Sequence, residues 1–140
     1  MPSTRETILA ALFIALEGVG GATVKRNYSL PHKIPSGGLV ILRDGSPGEP
    51  ETSLSPLTYH YEHAAIVEVM VEGFATQDRV FDTLCREVGY RIAADRSLGG
   101  LCDWVETTAP EPTDIITEGG EPIKGASLTV TLHYATQTPL

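Results

Sequence analysis

The sequence predicts an α+β domain, with two helices packed on one face of a mainly antiparallel sheet of four to five strands and long irregular loops between elements. Three observations predict it. The stretch Thr58 to Gly73 alternates like a strand, with Tyr59, Tyr61, Ala65, Val67, Val69 and Val71 on odd positions and Glu62, Glu68 and Glu72 on even ones. Two other segments carry apolar residues at three- and four-residue spacing, as amphipathic helices do. The order helix, three strands, helix, two strands lacks the regular alternation of a doubly wound sheet.

The elements follow in order. Ser3-Thr4-Arg5-Glu6 matches a capping box, in which Ser3 and Glu6 satisfy each other's free amides at a helix start. The helix predicted from about Thr4 to Glu17 places Ile8, Leu9, Leu12, Phe13 and Leu16 on one stripe and ends at Gly18, Gly20 and Gly21. Ala22 to Asn27 suits a short strand. Gly38 to Arg43 is apolar on both faces, so it belongs mid-sheet, or between a helix and a partner. Asp44 to Leu57, with Pro47, Pro50 and Pro56, has no periodicity and reads as a binding arm or a disordered loop.

The Thr58 to Gly73 strand would reach roughly 45 Å at ~3.3 Å per residue, so at least one end should project beyond the core it covers. A second helix, about Thr76 to Asp95, carries Val80, Phe81, Leu84, Cys85, Val88 and Ile92 on one side, and Gly89 within it suggests close packing. Leu101 to Thr107 is a short strand around Trp104, which reads as core packing in preference to an interface anchor. Ala109 to Pro122 is an acidic connection. Lys124 to Thr136 closes the chain, with Ala126, Leu128, Val130, Leu132 and Tyr134 on one face.

A chain of 140 residues suits one domain, residues 1 to 140. Its formal charge of -8 argues against a protein that grips phosphate backbones, because such grip rests on Lys and Arg. Cys85 and Cys102 form no metal or redox spacing, and with no signal-peptide pattern they are expected to be a reduced intracellular pair. The apolar run Ile8 to Leu16 is too short to span a bilayer. Charge is uneven along the chain. Ser97 to Ile123 holds six acids and no Lys or Arg, whereas Arg5, Lys25, Arg26, Lys33 and Arg43 make the start basic, a pattern suited either to head-to-tail contacts between copies or to a merely solvated acidic loop.

No stretch carries a catalytic signature. His60 and His63 stand three apart on a strand and so face opposite sides, which prevents them from sharing a metal ion. His60 with Glu62 shares a face, but a third ligand would have to come from His133 on a neighbouring strand. The histidines are expected on the polar sheet surface. Cys85 belongs to a helix stripe and Cys102 adjoins Asp103, which disfavours a thiolate. For Tyr59 and Tyr61 both readings stand, core packing and interface anchors.

Taken together, the N-terminal amphipathic helix, the long Tyr-rich strand ending in Glu-Gly, the second helix and the run Asp95-Arg96-Ser97-Leu98-Gly99-Gly100-Leu101-Cys102-Asp103-Trp104-Val105-Glu106 resemble the tail terminator (tail completion) proteins of long-tailed phages and gene transfer agents. The resemblance covers the chain in element order, and the Asp95 to Glu106 run is its most specific part. It implies a structural virion protein without catalytic residues, metal or cofactor. Such a protein assembles in the host bacterial cytoplasm as a homo-oligomeric ring, usually hexameric, on the head-proximal end of the tail tube. Its partners would be its own copies, the major tail tube protein and head-tail connector proteins, with DNA passing through the channel unbound. The strand's length and the Pro-rich arm place the expected subunit or tube contacts on Arg43, Asp44, Glu49, Glu51, Tyr59 and Tyr61, with Glu111 and Asp114 from the acidic connection. The alternatives are another connector or neck component, and a small cytoplasmic enzyme working through His60, Glu62 and a thiol.

Overall fold

Ser3 stands in extended conformation and its hydroxyl accepts the Glu6 amide at 3.1 Å, which starts helix α1, Thr4–Glu17. Half of the expected capping box forms. The Glu6 carboxylate turns to Arg26 instead, at 2.8 Å to each of two guanidinium nitrogens. The computed structural model describes residues 1–29, 33–73, 77–115 and 123–140, with the backbone alone for Asp114 and Ile115. After α1 come strands β1 (Thr23–Arg26), β2 (Leu39–Ser46), β3 (Glu51–Ser53) and β4 (Thr58–Glu72). Helix α2 (Gln77–Ala94) and strands β5 (Trp104–Thr107), β6 (Glu111–Ile115) and β7 (Ile123–Thr136) complete the order.

The fold class is α+β, but the sheet is mixed and seven-stranded, not the mainly antiparallel sheet of four to five strands that the sequence predicts. Its main path runs β1-β2-β4-β7-β5, with β3 added on β4 and β6 on β7. β1 runs parallel to β2, and the other pairings are antiparallel. The two unforeseen strands lie inside segments that look like loops. β3 has three residues and β6 contains Pro112, so neither shows a period of its own, and a proline is tolerated because β6 lies outermost on β7.

β4 and β7 form the axis of the sheet, paired without interruption from Tyr59 opposite Thr136 to Glu72 opposite Ile123. Strand alternation sends Tyr61, Ala65, Val67, Val69 and Val71 of β4 to the helix side, where they meet Ala126, Leu128, Val130, Leu132 and Tyr134 of β7. Both helices cover this face. Ile8, Leu9, Leu12 and Leu16 of α1 and Leu84, Val88 and Ile92 of α2 belong to one buried cluster with it. Each such side chain contributes roughly 1.5–3 kcal/mol by leaving water. Gly89, however, has open space where a side chain would go, so it does not mark the close helix packing expected of it.

β2 is buried on both faces, as its apolar run requires. Val40 and Leu42 join the helix side, while Leu39 and Ile41 form a smaller cluster with Met70 and Ile34 on the opposite face. That second cover comes from the chain itself. Parallel pairing of β1 and β2 demands a crossover, and Ile34 in that crossover lies over the outer face of β2. No helix among the described residues is long and apolar enough to cross a membrane.

Candidate assembly surface

The projecting end of β4 is a hairpin. β3 pairs with its first residues in the register Glu51–His60, Thr52–Tyr59 and Ser53–Thr58, and the connecting turn carries Leu54 and Leu57 at 77% and 46% exposure. Every residue from Glu51 to Leu57 is exposed. Ser53 and His60 side chains meet across the hairpin at 3.1 Å. Tyr59 still packs against the helix-side core, whereas the outer edge of β3 has no strand beside it among the described residues.

Beside the hairpin, Glu49, Glu51, His60, Glu62, Asp103 and His133, with Tyr61 and Tyr134 behind them, line a groove of about 300 Å³. The register builds it. Glu62 lies opposite His133 on β7, and His133 lies opposite Trp104 on β5, so one row crosses three strands. The neighbouring row carries Glu51 and His60. Thus His133 does arrive beside Glu62 on a neighbouring strand. Among the described residues no group of three or more His, Cys, Asp or Glu is arranged to hold a metal ion. Glu106 approaches His133 at 3.8 Å from the far side.

The residues expected at an interface separate into two sets. Glu49 and Glu51 line the groove, Tyr59 is half-buried at the hairpin base, and Glu111 is exposed on β6. The side chain of Asp114 lies outside the described residues. Tyr61, by contrast, is only 5% exposed, stacked on Tyr134 with ring centroids 5.6 Å apart and capped by the Arg5 guanidinium at 5.1 Å. It is a core residue. Arg43 pairs with Glu68 across β2 and β4, and Asp44 is paired with Arg26 at 2.9 Å.

The basic start of the chain is therefore largely engaged within the molecule. Arg5 donates to the Tyr134 hydroxyl at 2.9 Å, Arg26 bridges Glu6 and Asp44, and Arg43 also reaches the Tyr28 carbonyl at 3.0 Å. The charge asymmetry of the sequence is thus partly balanced inside the fold. Trp104 reverses its expectation too. β5 sits on the sheet's border, so the indole is 45% exposed, with the Arg96 guanidinium 4.8 Å from its centre. His63, expected on the polar surface, is 1% exposed because its odd position puts it on the helix side of β4.

Neither thiol is poised as a nucleophile. Burial pushes both the Cys85 and the Cys102 thiol above the ordinary cysteine range, with Asp82 and Asp103 respectively adding to it. The Asp95 to Glu106 run has a structural task. The Asp95 carboxylate accepts the amides of Gly99 at 2.8 Å and Ser97 at 3.1 Å, which depresses its pKa and folds the turn that leads α2 into β5. Leu54 and Leu57 had no periodic signal to mark them. Asp103 lay within reach of sequence reasoning only through the register that brings β5 beside β7. No protein-family model matches the chain, and no curated protein matches it.

Proposed function

We propose that this chain is a structural subunit of a phage-like tail, a tail terminator that forms a ring on the head-proximal end of the tube, stops its polymerisation and offers the surface for head joining. The observation that carries the reading is the β3–β4 hairpin. It carries the sheet's central strand into an exposed turn and presents two exposed leucines and a strand edge that is unpaired among the described residues, features that serve contact with another chain. A copy that inserts this hairpin against its neighbour makes a heterologous contact, which closes into a ring when the rotation permits.

Three further features support the reading. Glu49, Glu51, Glu62 and Asp103 line one groove beside the hairpin, an acidic lining that repels DNA. The whole chain carries a formal charge of -8, in keeping with DNA that slides through a channel and does not stick. The element order and the Asp95 to Glu106 run resemble the terminator family. The subunit number is proposed as six on that resemblance.

Mass measurement and negative-stain microscopy of the chain, alone and mixed with tail-tube protein, test the proposal. Rings on tube ends, and shorter tubes as the chain is added, are the expected result. A chain that stays monomeric with tubes and leaves their lengths unchanged overturns it. Rings that bind a portal or connector in place of the tube assign the chain to the neck.

A further inference from the structure

His63 is the most deeply buried polar residue described, and its hydrogen bonds have a fixed direction. Its Nε2 lies 2.5 Å from the Asp44 carbonyl, which only accepts, so Nε2 carries the hydrogen. In the neutral ring Nδ1 is then an acceptor, and it takes the hydroxyl hydrogen of Tyr134 at 2.8 Å. The Tyr134 oxygen in turn accepts from Arg5 Nε at 2.9 Å. The chain of donors runs from α1 through β7 and β4 to β2, and each position in it is filled.

Asp44, at the far end, is held on three sides. Its amide donates to the Asn27 side-chain oxygen at 3.1 Å, its carboxylate accepts from Arg26 at 2.9 Å, and its carbonyl accepts from His63. Asp44 and Gly45 form the bulge where β2 gains one residue relative to β4, between the pairs Arg43–Ile66 and Ser46–Ala64. Gly45 has φ +69°, and a Cβ there would stand 1.9 Å from the Ala64 carbonyl oxygen. This bulge is the root of the segment that leads through Glu49 and Glu51 into the hairpin.

We propose that His63 is a proton-operated latch, which in its neutral form holds the Asp44–Gly45 bulge against the core and on protonation releases the Ser46–Ser53 arm. A second ring hydrogen, on Nδ1, would point at a hydroxyl oxygen that already accepts from Arg5, and the Tyr134 hydrogen would lose its acceptor. The new cation would also share the site with the Arg5 guanidinium. Tyr61 from β4 faces the same site, and the Asp44 carboxylate is turned to Arg26 on β1, which is also paired with Glu6 of α1. The Asp44 carbonyl abuts the Nε2 edge, so a ring that moves out to water displaces the bulge.

The pH window follows from linkage. Burial lowers the imidazole pKa below its ordinary 6.5; the bond to the Asp44 carbonyl opposes this and the Arg5 charge adds to it. The released ring titrates near 6.5. Between the two values, opening takes up a proton, so the opening equilibrium rises about tenfold per unit of falling pH, and above about pH 6.5 it is flat. The inference concerns the single folded chain and does not depend on the proposed ring.

The test is an NMR titration of the full-length chain from pH 8 to pH 5, above the ordinary carboxylate range. It follows the His63 ring, recognised by its through-space contact with Tyr134, together with the amides of Gly45, Ser46, Gly48 and Glu51. The expected result is that these amides lose rigidity with the midpoint at which His63 titrates, while Val67 and Val69 amides do not change. His63→Gln keeps a donor for the Asp44 carbonyl without titrating, and should hold the arm rigid across the range. Arm amides that do not respond, or whose midpoint differs from that of the His63 ring, overturn the latch even if His63→Gln fails to fold. So does a His63→Gln arm that loosens as the wild type does.

Discussion

The two halves of β4 share one strand and one alternation, yet they are built for different surroundings. From Ala65 to Val71 the odd positions are backed by both helices and buried to 4% exposure or less. From Thr58 to His60 the same strand has β3 in place of β2, Tyr59 is only partly buried against the core, and His60 is exposed. Period-two patterning states which residues share a face; whether that face becomes core is decided by what packs on it. Tyr61 and His63 mark the crossover, where Arg5 and Tyr134 add polar contacts to the buried face.

Four measurements can break or sharpen this comparison. The largest effect on stability is expected in the helix-backed half, where Leu128→Ala removes a buried side chain opposite Val67 and should cost about 2–5 kcal/mol in denaturant unfolding. At the crossover, Gly45→Val places a Cβ against the Ala64 carbonyl at positive φ, and a loss of about 1–3 kcal/mol is expected by the same method. Smaller is the effect of Glu6→Gln, which removes a partly exposed ion pair with Arg26 and should cost up to about 1 kcal/mol at neutral pH. The hydrogen bonds from Arg26 hold the Glu6 pKa below 4.5, so its contribution is present above that pH and is lost as pH falls through the folded value. The gap between variant and wild type should therefore close in acid.

The smallest effect on the monomer is expected at the hairpin. Leu54→Ser with Leu57→Ser changes exposed side chains and should shift stability by no more than about 0.5 kcal/mol. Ring formation on tubes, read by microscopy, should nevertheless be lost. If that double variant unfolds the chain, the hairpin is part of the core and the contrast between the halves fails.

Both helices and the two long strands were legible in the sequence because each repeats its pattern over several turns or pairs. The burial of β2 on both faces was legible for the same reason. β3 and β6 were not, since three residues, or five with a proline, acquire strand character only from the neighbour that supplies their hydrogen bonds. The parallel pairing of β1 depends on the crossover that folds Ile34 over β2, which no local period encodes. His63 was placed on the wrong surface by its polarity, although its odd number already assigned it to the apolar face. At the candidate site, Glu49 and Glu51 were foreseen as arm residues, while the row Glu62–His133–Trp104 required knowledge of register.

The uninterrupted pairing of β4 with β7 also has a mechanical consequence. Tension applied at Thr58 and Ile123, at opposite ends of the ribbon, loads every rung in shear, so the rungs must fail together. Tension at Thr58 and Thr136, at the same end, peels them one at a time. Single-molecule pulling through cysteines at those positions should give a markedly higher rupture force in the first geometry. A chain with this axis is anisotropic, stiff along the ribbon and weak across its hairpin end, and its strength depends on the direction of the load.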